Sequence, residues 1–331
     1  MKLATLKNGQ RDGRLVIVSR DLSRAVDASA VAATMRHAIE NWNEARPGLQ
    51  KLYDALDTGQ ATQAFDFDPA QAMAPLPRSH QFVDASAFLN HGDIMERAYN
   101  LVVKKTPGVA VLVPRQGDDF RGPRDDYEFP AEADQCDFEG EFAVITDDVP
   151  MGVTPAEALG HVRLVTILND VSMRGHLYRE LQMGFGLVQA KPATIFAPVA
   201  VTPDELGDAW KDGRVHLDMK VSRNGEWFGH PNGREMDFGF GEMIAHIAYN
   251  RRLGAGFVLG SGTVSNKGYE QVGSACLAER RAIETLAHGD ARTGFLKFGE
   301  RLHFESVDGT GQSVFGAIDV RFVPSSTRAS A

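Results

Sequence analysis

Apolar and polar positions alternate along much of the chain, and this period of two is typical of β-strands. Two segments have the longer, helical spacing of apolar residues. One predicts a helix within residues 28–56, which Pro47 should break or kink, and the other predicts a helix over 241–253 that ends at Gly254. Strands are predicted over residues 1–6, 14–19, 109–114, 142–146, 162–168, 215–222, 301–306 and 314–323. The pattern therefore predicts a β-rich α+β protein.

Proline and turn residues divide the chain. Residues 65–80 hold three prolines and no helical period, which predicts a connector. We expect a small N-terminal domain with this connector at 1–79, a main domain at 80–324 and a flexible tail at 325–331. The sequences TPAE at 154–157 and TPDE at 202–205 both match the capping box that starts a helix. No glycine-rich nucleotide loop follows a strand, so a nucleotide-binding fold is not expected.

Composition excludes several classes of protein. The 331 residues include 35 lysines and arginines against 44 acids, a net charge of −9, with 43% hydrophobic residues. Such a chain can bury a core, and its acidic surplus argues against nucleic acid or an anionic membrane as a partner. Two cysteines without a CxxC motif, no apolar leader segment and no membrane-length apolar stretch predict a cytoplasmic protein.

The most informative segment is the strand around Glu139 and Glu141. Residues two apart in a strand face the same side, so these carboxylates should lie together, with Phe138 and Phe142 on the other side. Adjacent carboxylates repel unless a cation lies between them, and hard divalent cations prefer carboxylate oxygens. The alternative is a solvated strand face with scattered acids, which is common in proteins.

Two further acids extend this pattern. Asp170 follows an apolar strand, where an acid is costly unless it is paired or bound to a metal. Asp84 follows another apolar run, and His91 lies seven residues later. Taken singly, Asp170 is compatible with an ordinary acid in a turn, and Asp84 and His91 are compatible with ordinary loop residues.

Together these residues resemble the motifs of the fumarylacetoacetate hydrolase family. The resemblance covers residues 80–323 and rests on five motifs in the family's order: Asp84-x6-His91, Glu139-x-Glu141, Asn169-Asp170-x-Ser172-x-Arg174, Lys191-Pro192, and GSGTVS at 260–265. It implies a mixed β-roll catalytic domain, preceded here by a small SH3-like N-terminal domain, and a homodimer.

The resemblance also implies roles for individual residues. The metal would be Mg²⁺, or alternatively Mn²⁺ or Ca²⁺. His91 would be the base that takes a proton from water, oriented by Glu279, and Lys191 would stabilise a developing oxyanion. Metal ligands would be Asp84, Glu139, Glu141 and Asp170, with Thr194 near the metal, and substrate contacts would come from Arg97, Arg174, Thr263 and Ser86.

Some positions depart from the family pattern. Leu177 and Leu181 stand where larger members place a glutamine and a tyrosine that contact substrate. Glu279 lies about two residues later than the pattern expects, the gap from His91 to Arg97 is about three residues shorter, and Thr194 is one residue closer to Lys191. These departures leave the metal chemistry in place and put the identity of the substrate in doubt.

The expected activity is metal-dependent hydrolysis of a C–C bond in a small acidic 1,3-diketone. The simplest substrate is 4-fumarylacetoacetate, giving fumarate and acetoacetate in tyrosine or homogentisate breakdown. Fumarylpyruvate or acylpyruvate hydrolysis, oxaloacetate decarboxylation and hydration of a dienoate stay open, as does a metal-binding relative without turnover. Four acids and one divalent ion carry −4 + 2 = −2. Basic neighbours, expected to be Arg97, Arg174 and Lys191, are therefore needed before an acidic substrate can enter.

Overall fold

The computed structural model describes residues 1–100 and 106–326. The α-helices in this part are α1 Met35–Glu40, α2 Trp42–Asp57, α3 Leu89–Tyr99, α4 Pro155–Leu159, α5 Arg174–Met183, α6 Phe240–Ile247, α7 Tyr269–Val272 and α8 Leu277–His288. The strands are β1 Lys2–Leu6, β2 Arg14–Val18, β3 Arg24–Asp27, β4 Phe65–Asp66, β5 Phe82–Ser86, β6 Val111–Arg115, β7 Tyr127–Phe129, β8 Cys136–Asp137, β9 Gly140–Thr146, β10 Val162–Asn169, β11 Ser172–Met173, β12 Ile195–Phe196, β13 Val199–Val201, β14 Trp210–Lys211, β15 Arg214–Val215, β16 Lys220–Arg223, β17 Glu226–Gly229, β18 Val258–Gly260, β19 Arg301–Glu305 and β20 Ile318–Pro324. Residues 327–331 of the predicted tail lie outside the described residues.

One large sheet runs through the molecule. Its strands follow the order β4-β3-β2-β1-β13-β10-β9-β18-β5-β6, with β12 pairing off β10. Neighbours are antiparallel except β18 and β5, which are parallel. Strand β1 pairs with β13, so the N-terminal strands extend the same sheet that carries the central strands.

A second sheet covers one face of the first. Its order is β17-β16-β19-β20-β7, and side chains from both sheets form a continuous core. Phe138 packs edge-on against Phe228 and Phe304, with ring centroids 5.0 and 5.6 Å apart. Phe142 is buried in the same core. The two phenylalanines beside the paired glutamates therefore face the core, as the alternation predicted, and the glutamates face the other way.

Helix α2 packs on strands β2 and β3, and α1 packs on α2. The helical segment is interrupted at Asn41, between α1 and α2, and α2 runs through Pro47. The break is therefore six residues earlier than predicted. Proline in the second turn removes one N–H bond, and burial of Trp42, Leu49 and Tyr53 on the inner face of α2 offsets this loss.

The two predicted capping boxes behave differently. Thr154 and Glu157 exchange the expected hydrogen bonds at the start of α4. Thr202 makes no side-chain cap to the 3₁₀ helix Pro203–Ala209, because its hydroxyl accepts a 2.7 Å hydrogen bond from the amino group of Met1. Glu205 pairs with the same amino group at 3.1 Å. A tertiary contact thus replaces the local motif.

The β-rich α+β class with a mixed β-roll is confirmed. The division at residues 79 and 80 and the SH3-like character of the N-terminal region stay predictions. Within residues 1–100 and 106–326, every helix is too short or too polar to cross a membrane.

Candidate active site

The paired glutamates and the first acid meet on neighbouring strands of the large sheet. Glu141 lies on β9 and Asp84 on β5, and β18 runs between these strands with Gly260 level with Asp84. A Cβ atom at Gly260 would lie 2.7 Å from Glu141 Oε2 and 2.8 Å from Asp84 Oδ1. The absence of a side chain there lets the two carboxylates approach each other across the middle strand.

Asp170 and Glu139 complete a cluster of four buried acids. Asp170 follows β10, whose last residue Asn169 accepts a 3.0 Å hydrogen bond from the backbone N–H of Glu139. The backbone N–H of Asp170 donates to the carbonyl of Glu139 at 2.9 Å. One oxygen from each of Asp84, Glu139, Glu141 and Asp170 lies within 4.8 Å of the others.

Three cationic side chains surround the four acids. Lys191 Nζ lies 2.8 Å from Glu139 Oε2 and 2.6 Å from Asp170 Oδ2. Arg174 donates to Glu139. Arg115 donates to Asp170 Oδ2 through Nη1 at 2.6 Å and forms an ion pair with Asp170 through Nη2. The cluster therefore has the positive neighbours that an acidic substrate requires.

Arg115 is a site residue that the sequence did not reveal. It is the last residue of β6, its side chain is fully buried, and its guanidinium lies 5.7 Å from the ring centroid of Phe82. The predicted strand ended one residue earlier, at position 114. An Arg immediately after a proline in an exposed edge strand carries no local pattern that directs it inward.

The protonation of the four acids is uneven. Burial, reinforced by the charge of Asp170, raises the pKa of Asp84 to about 7. Burial and the nearby Asp84 raise the pKa of Glu141 well above its usual range. Burial also opposes ionisation of Glu139, but Lys191 and Arg174 outweigh it and lower the pKa of that group.

The cluster fits a divalent cation. Asp84 Oδ1 and Glu141 Oε1 are both buried and have no hydrogen-bond partner among the described residues. Unpartnered carboxylate oxygens are costly in a protein interior unless a proton or a cation is shared between them. An all-oxygen donor set of this kind suits Mg²⁺, Mn²⁺ or Ca²⁺.

His91 and Glu279 form a hydrogen-bonded pair beside the cluster. His91 lies in the first turn of α3 and Glu279 in the first turn of α8, and Nδ1 of the histidine is 2.8 Å from Oε2 of the glutamate. Ser274 donates to the other carboxylate oxygen at 2.8 Å. Cys276, the N-cap residue of α8, forms a β-bridge with Glu139, so the start of the helix that carries Glu279 lies beside the acids.

The other predicted site residues lie at different distances from the cluster. Thr194 is buried and donates to Asp170 Oδ1 at 3.3 Å. Thr263 is buried in the turn after β18, where the backbone N–H of Gly262 donates to Glu141 Oε2 at 3.1 Å.

Arg97 and Ser86 are exposed. Arg97 is in the last turn of α3, and Ser86 ends β5. Among the described residues, Arg97 makes no ion pair with the four acids. The third cation beside the cluster is Arg115, in addition to the expected Arg174 and Lys191.

Helix α5, which begins at Arg174, carries apolar residues at the two positions where larger family members have polar substrate contacts. Leu177 is half-buried, and Leu181 is 60% exposed. Gln182 and Gln189 are exposed, and Gln189 accepts a hydrogen bond from Arg179. In this structure the segment between Arg174 and Lys191 presents mainly apolar side chains to solvent.

Family models match most of the chain. A model described as fumarylacetoacetate (FAA) hydrolase C-terminal matches residues 81–316, and one described as fumarylacetoacetase N-terminal domain 2 matches residues 1–78. The chain belongs to the fumarylacetoacetate hydrolase family. This confirms the family that the motifs resembled.

Relatives in the fumarylacetoacetate hydrolase family are distant. A 2,4-didehydro-3-deoxy-L-rhamnonate hydrolase from Sphingomonas sp. (strain SKA58) is 30% identical over 147 residues, which is 44% of this chain and 49% of that protein. The chain spans about half the length of the first curated relatives it matches.

Solved structures with the same fold cover nearly the whole chain. A maleylpyruvate hydrolase from Sphingobium sp. SYK-6, in complex with manganese(II) and pyruvate, has a TM-score of 0.66 at 19% identity over 98% of this chain and 99% of that one. A fumarylacetoacetate hydrolase from Exiguobacterium antarcticum has a TM-score of 0.65 at 19% identity over 98% and 100%. Solved proteins of this fold include isomerases as well as hydrolases.

Proposed function

We propose that the protein is a divalent-metal-dependent hydrolase that cleaves a C–C bond in a small acidic 1,3-diketone. The observation that carries this proposal is the pairing of His91 with Glu279 beside the four buried acids. An imidazole held by a carboxylate is suited to take a proton from water, which hydrolysis requires and decarboxylation does not.

The metal would be held by Asp84, Glu139, Glu141 and Asp170, with Thr194 supporting Asp170 through its hydroxyl. When bound, such an ion polarises a substrate carbonyl and stabilises negative charge on the oxygens of a diketone. Mg²⁺ is the proposed ion, and Mn²⁺ and Ca²⁺ are the alternatives.

His91 acts as the general base. With Nδ1–H donating to the Glu279 carboxylate, Nε2 is the basic nitrogen and takes a proton from water. The water oxygen bonds to one carbonyl carbon, and the bond from that carbon to the central CH₂ breaks. The electron pair leaves with the CH₂ fragment as an enolate, which gains a proton and becomes a methyl ketone, while the other fragment leaves as a carboxylic acid.

Two cations assist these steps. Lys191, between Glu139 and Asp170, is close enough to the acids to stabilise an oxyanion that develops beside them. Arg174 is the proposed partner of the substrate carboxylate. Burial would lower the pKa of Lys191, but Asp170 and Glu139 raise it, so Lys191 stays protonated as this role requires.

The first candidate substrate is 4-fumarylacetoacetate, which would give fumarate and acetoacetate. A second candidate is an acylpyruvate such as fumarylpyruvate. The apolar Leu177 and Leu181, in place of polar substrate contacts, favour a substrate with fewer polar groups beyond the diketone, and the structurally similar maleylpyruvate hydrolase was solved with pyruvate.

A panel of diketo acids tests the proposal. Protein stripped with EDTA and reloaded with Mg²⁺ is incubated with fumarylacetoacetate, fumarylpyruvate, acetylpyruvate and oxaloacetate, and both products are identified. We expect cleavage of a diketone that depends on metal and is lost in His91→Ala and Glu141→Ala. Full activity in stripped protein and in both variants would overturn the mechanism, and metal binding without turnover of any diketone would favour a non-catalytic relative.

A homodimer belongs to the same proposal, because the family resemblance implies it. Light scattering coupled to size-exclusion chromatography gives the mass directly. A mass of one chain at micromolar concentration would contradict it.

A further inference from the structure

Asp137 is a fully buried carboxylate that accepts four N–H donors. Oδ1 accepts from the backbone of Phe138 at 2.7 Å and of Leu277 at 2.8 Å. Oδ2 accepts from the backbone of Ala278 at 3.0 Å and from Nε of Arg174 at 2.8 Å. We propose that Asp137 is a positioning residue that holds both Arg174 and the helix carrying Glu279 in their working orientations.

The first contact fixes a substrate-binding side chain. Arg174 begins α5, its side chain is 12% exposed, and its guanidinium joins Asp137 to Glu139. Because Asp137 holds Nε, the guanidinium of Arg174 can rotate only about the line that joins the carboxylates of Asp137 and Glu139. Without Asp137, the guanidinium would have Glu139 as its remaining acidic partner and would be free to rotate toward it.

The second contact fixes the start of α8. Leu277 and Ala278 are the first two residues of this helix, and their N–H groups have no partner within it. Asp137 binds both, at the end where the helix dipole favours negative charge. The next residue is Glu279, whose carboxylate reaches His91, so a shift of the helix start would move the partner of the base.

Asp137 acts through these groups and not on the metal. Each of its oxygens already accepts two N–H bonds, and it is not among the four acids that converge within 4.8 Å. Strand β8, which carries it, pairs with β11 immediately before Arg174. A single carboxylate therefore links two parts of the site: the substrate-binding Arg174 and the hydrogen-bonded pair of His91 and Glu279.

The test separates positioning from stability and rests on the proposed function only in its kinetic arm. The variants are Asp137→Asn, Arg174→Gln and the double variant. The binding probe is oxalate, a small dianion, titrated into Mn²⁺-loaded protein by calorimetry. Substitution by Asn places an NH₂ group against N–H donors without changing the size of the side chain.

We expect Mn²⁺ affinity of Asp137→Asn to stay within about threefold of the original, since Asp137 is not a ligand. Oxalate affinity should fall at least about tenfold in each single variant and no further in the double variant, because both changes break one link. The proposal would be overturned by an unchanged oxalate affinity in Asp137→Asn. It would also be overturned if the fold-loss of oxalate affinity in the double variant equalled the product of the fold-losses in the two single variants.

The kinetic arm reports on the second contact. With the diketone that the panel identifies, Asp137→Asn should lower kcat, and its effect should largely disappear in a Glu279→Gln background. Arg174→Gln alone should mainly raise KM. If the protein binds oxalate as expected but cleaves no diketone, the proposed function fails and the positioning role still stands on the binding data.

Asp147→Asn is the matched control. Asp147 also binds an arginine and a histidine, Arg163 and His161, and is largely buried, but it lies outside the site. Its loss should lower the melting temperature and leave oxalate affinity unchanged. If Asp137→Asn does not fold, Arg174→Lys takes its place: one ammonium cannot reproduce the fork, so oxalate affinity should fall about fivefold, and an unchanged affinity would overturn the proposal.

Discussion

The imidazole of His91 and the carboxylate of Glu279 meet at 2.8 Å although 188 residues separate them in the chain. Each lies in the first turn of its helix, α3 or α8, and these two helices pack against each other. Ser274 donates a hydrogen bond to the second carboxylate oxygen of Glu279, so the orientation of this carboxylate does not depend on the histidine alone. Two hydrogen bonds therefore hold the Glu279 carboxylate, and one of them orients the His91 imidazole.

Removal of either partner should reduce catalysis far more than stability. His91→Ala and Glu279→Gln should each lower kcat by about 10²–10⁴, since general-base catalysis contributes that factor. The double variant should be little worse than His91→Ala, because the two residues act as a unit. Steady-state kinetics on the identified diketone measures both effects.

A second histidine provides the control for this pair. His161 Nδ1 lies 2.8 Å from Asp147, and its side chain is 24% exposed against 21% for His91. His161→Ala should leave kcat unchanged. An equal loss of activity in His161→Ala would show that the effect at His91 is structural.

The space at Gly260 should be necessary for metal binding. A methyl group there would lie 2.7 Å from Glu141 and 2.8 Å from Asp84, so Gly260→Ala should push these carboxylates apart and weaken Mn²⁺ binding at least about tenfold. Calorimetric titration of the stripped protein measures this affinity. Gly294→Ala, where no atom lies within 4 Å of the added methyl, should bind Mn²⁺ normally.

The metal-free protein should lose stability as the pH rises toward neutrality. The pKa of Asp84 is raised to about 7 by burial, whereas an unfolded aspartate has a pKa of about 3.9, so the folded chain holds an extra proton between these values. That contribution is complete below the unfolded pKa and is lost by about pH 7, at about 1.4 kcal/mol per pH unit.

Asp84→Asn isolates this effect, because the amide stays neutral at every pH. In EDTA at about pH 8, the variant should melt at a higher temperature than the original protein. This difference in melting temperature should become smaller toward about pH 5. Saturating Mg²⁺ should reverse the order by stabilising only the original protein. A margin that does not change with pH would contradict the assignment of the proton to Asp84.

Loss of Lys191 should strengthen metal binding and abolish turnover. Its ammonium lies between Glu139 and Asp170 and competes with a cation for their charge. Lys191→Met should therefore bind Mn²⁺ about tenfold more tightly and have kcat reduced at least about 10²-fold, because the oxyanion loses its partner. The buried Lys2, which donates to backbone carbonyls far from the acids, is the control: Lys2→Met should change neither quantity. Weaker Mn²⁺ binding in Lys191→Met would show that the lysine supports the ligands.

Local sequence patterns were sufficient to predict the arrangement around the paired glutamates. The period of two placed Glu139 and Glu141 on one face with Phe138 and Phe142 opposite, because side-chain direction in a strand depends only on position. The position of Asp170 at the end of an apolar strand predicted a buried acid that needs a partner. Ordered motifs identified the family, which the family models confirm.

The distant groups that contact the acids are set by long-range packing and could not be predicted from local patterns. Arg115 reaches Asp170 because β6 pairs with β5 in one register, and no local pattern specifies that register. Glu279 reaches His91 although it lies about two residues later than the family pattern expects, because the packing of α8 on α3 brings the two side chains together. No sequence pattern indicates the position of Asp137, because its four donors come from three separate segments of the chain. Long-range pairing brings such groups together, and neighbouring residues in the sequence carry no record of it.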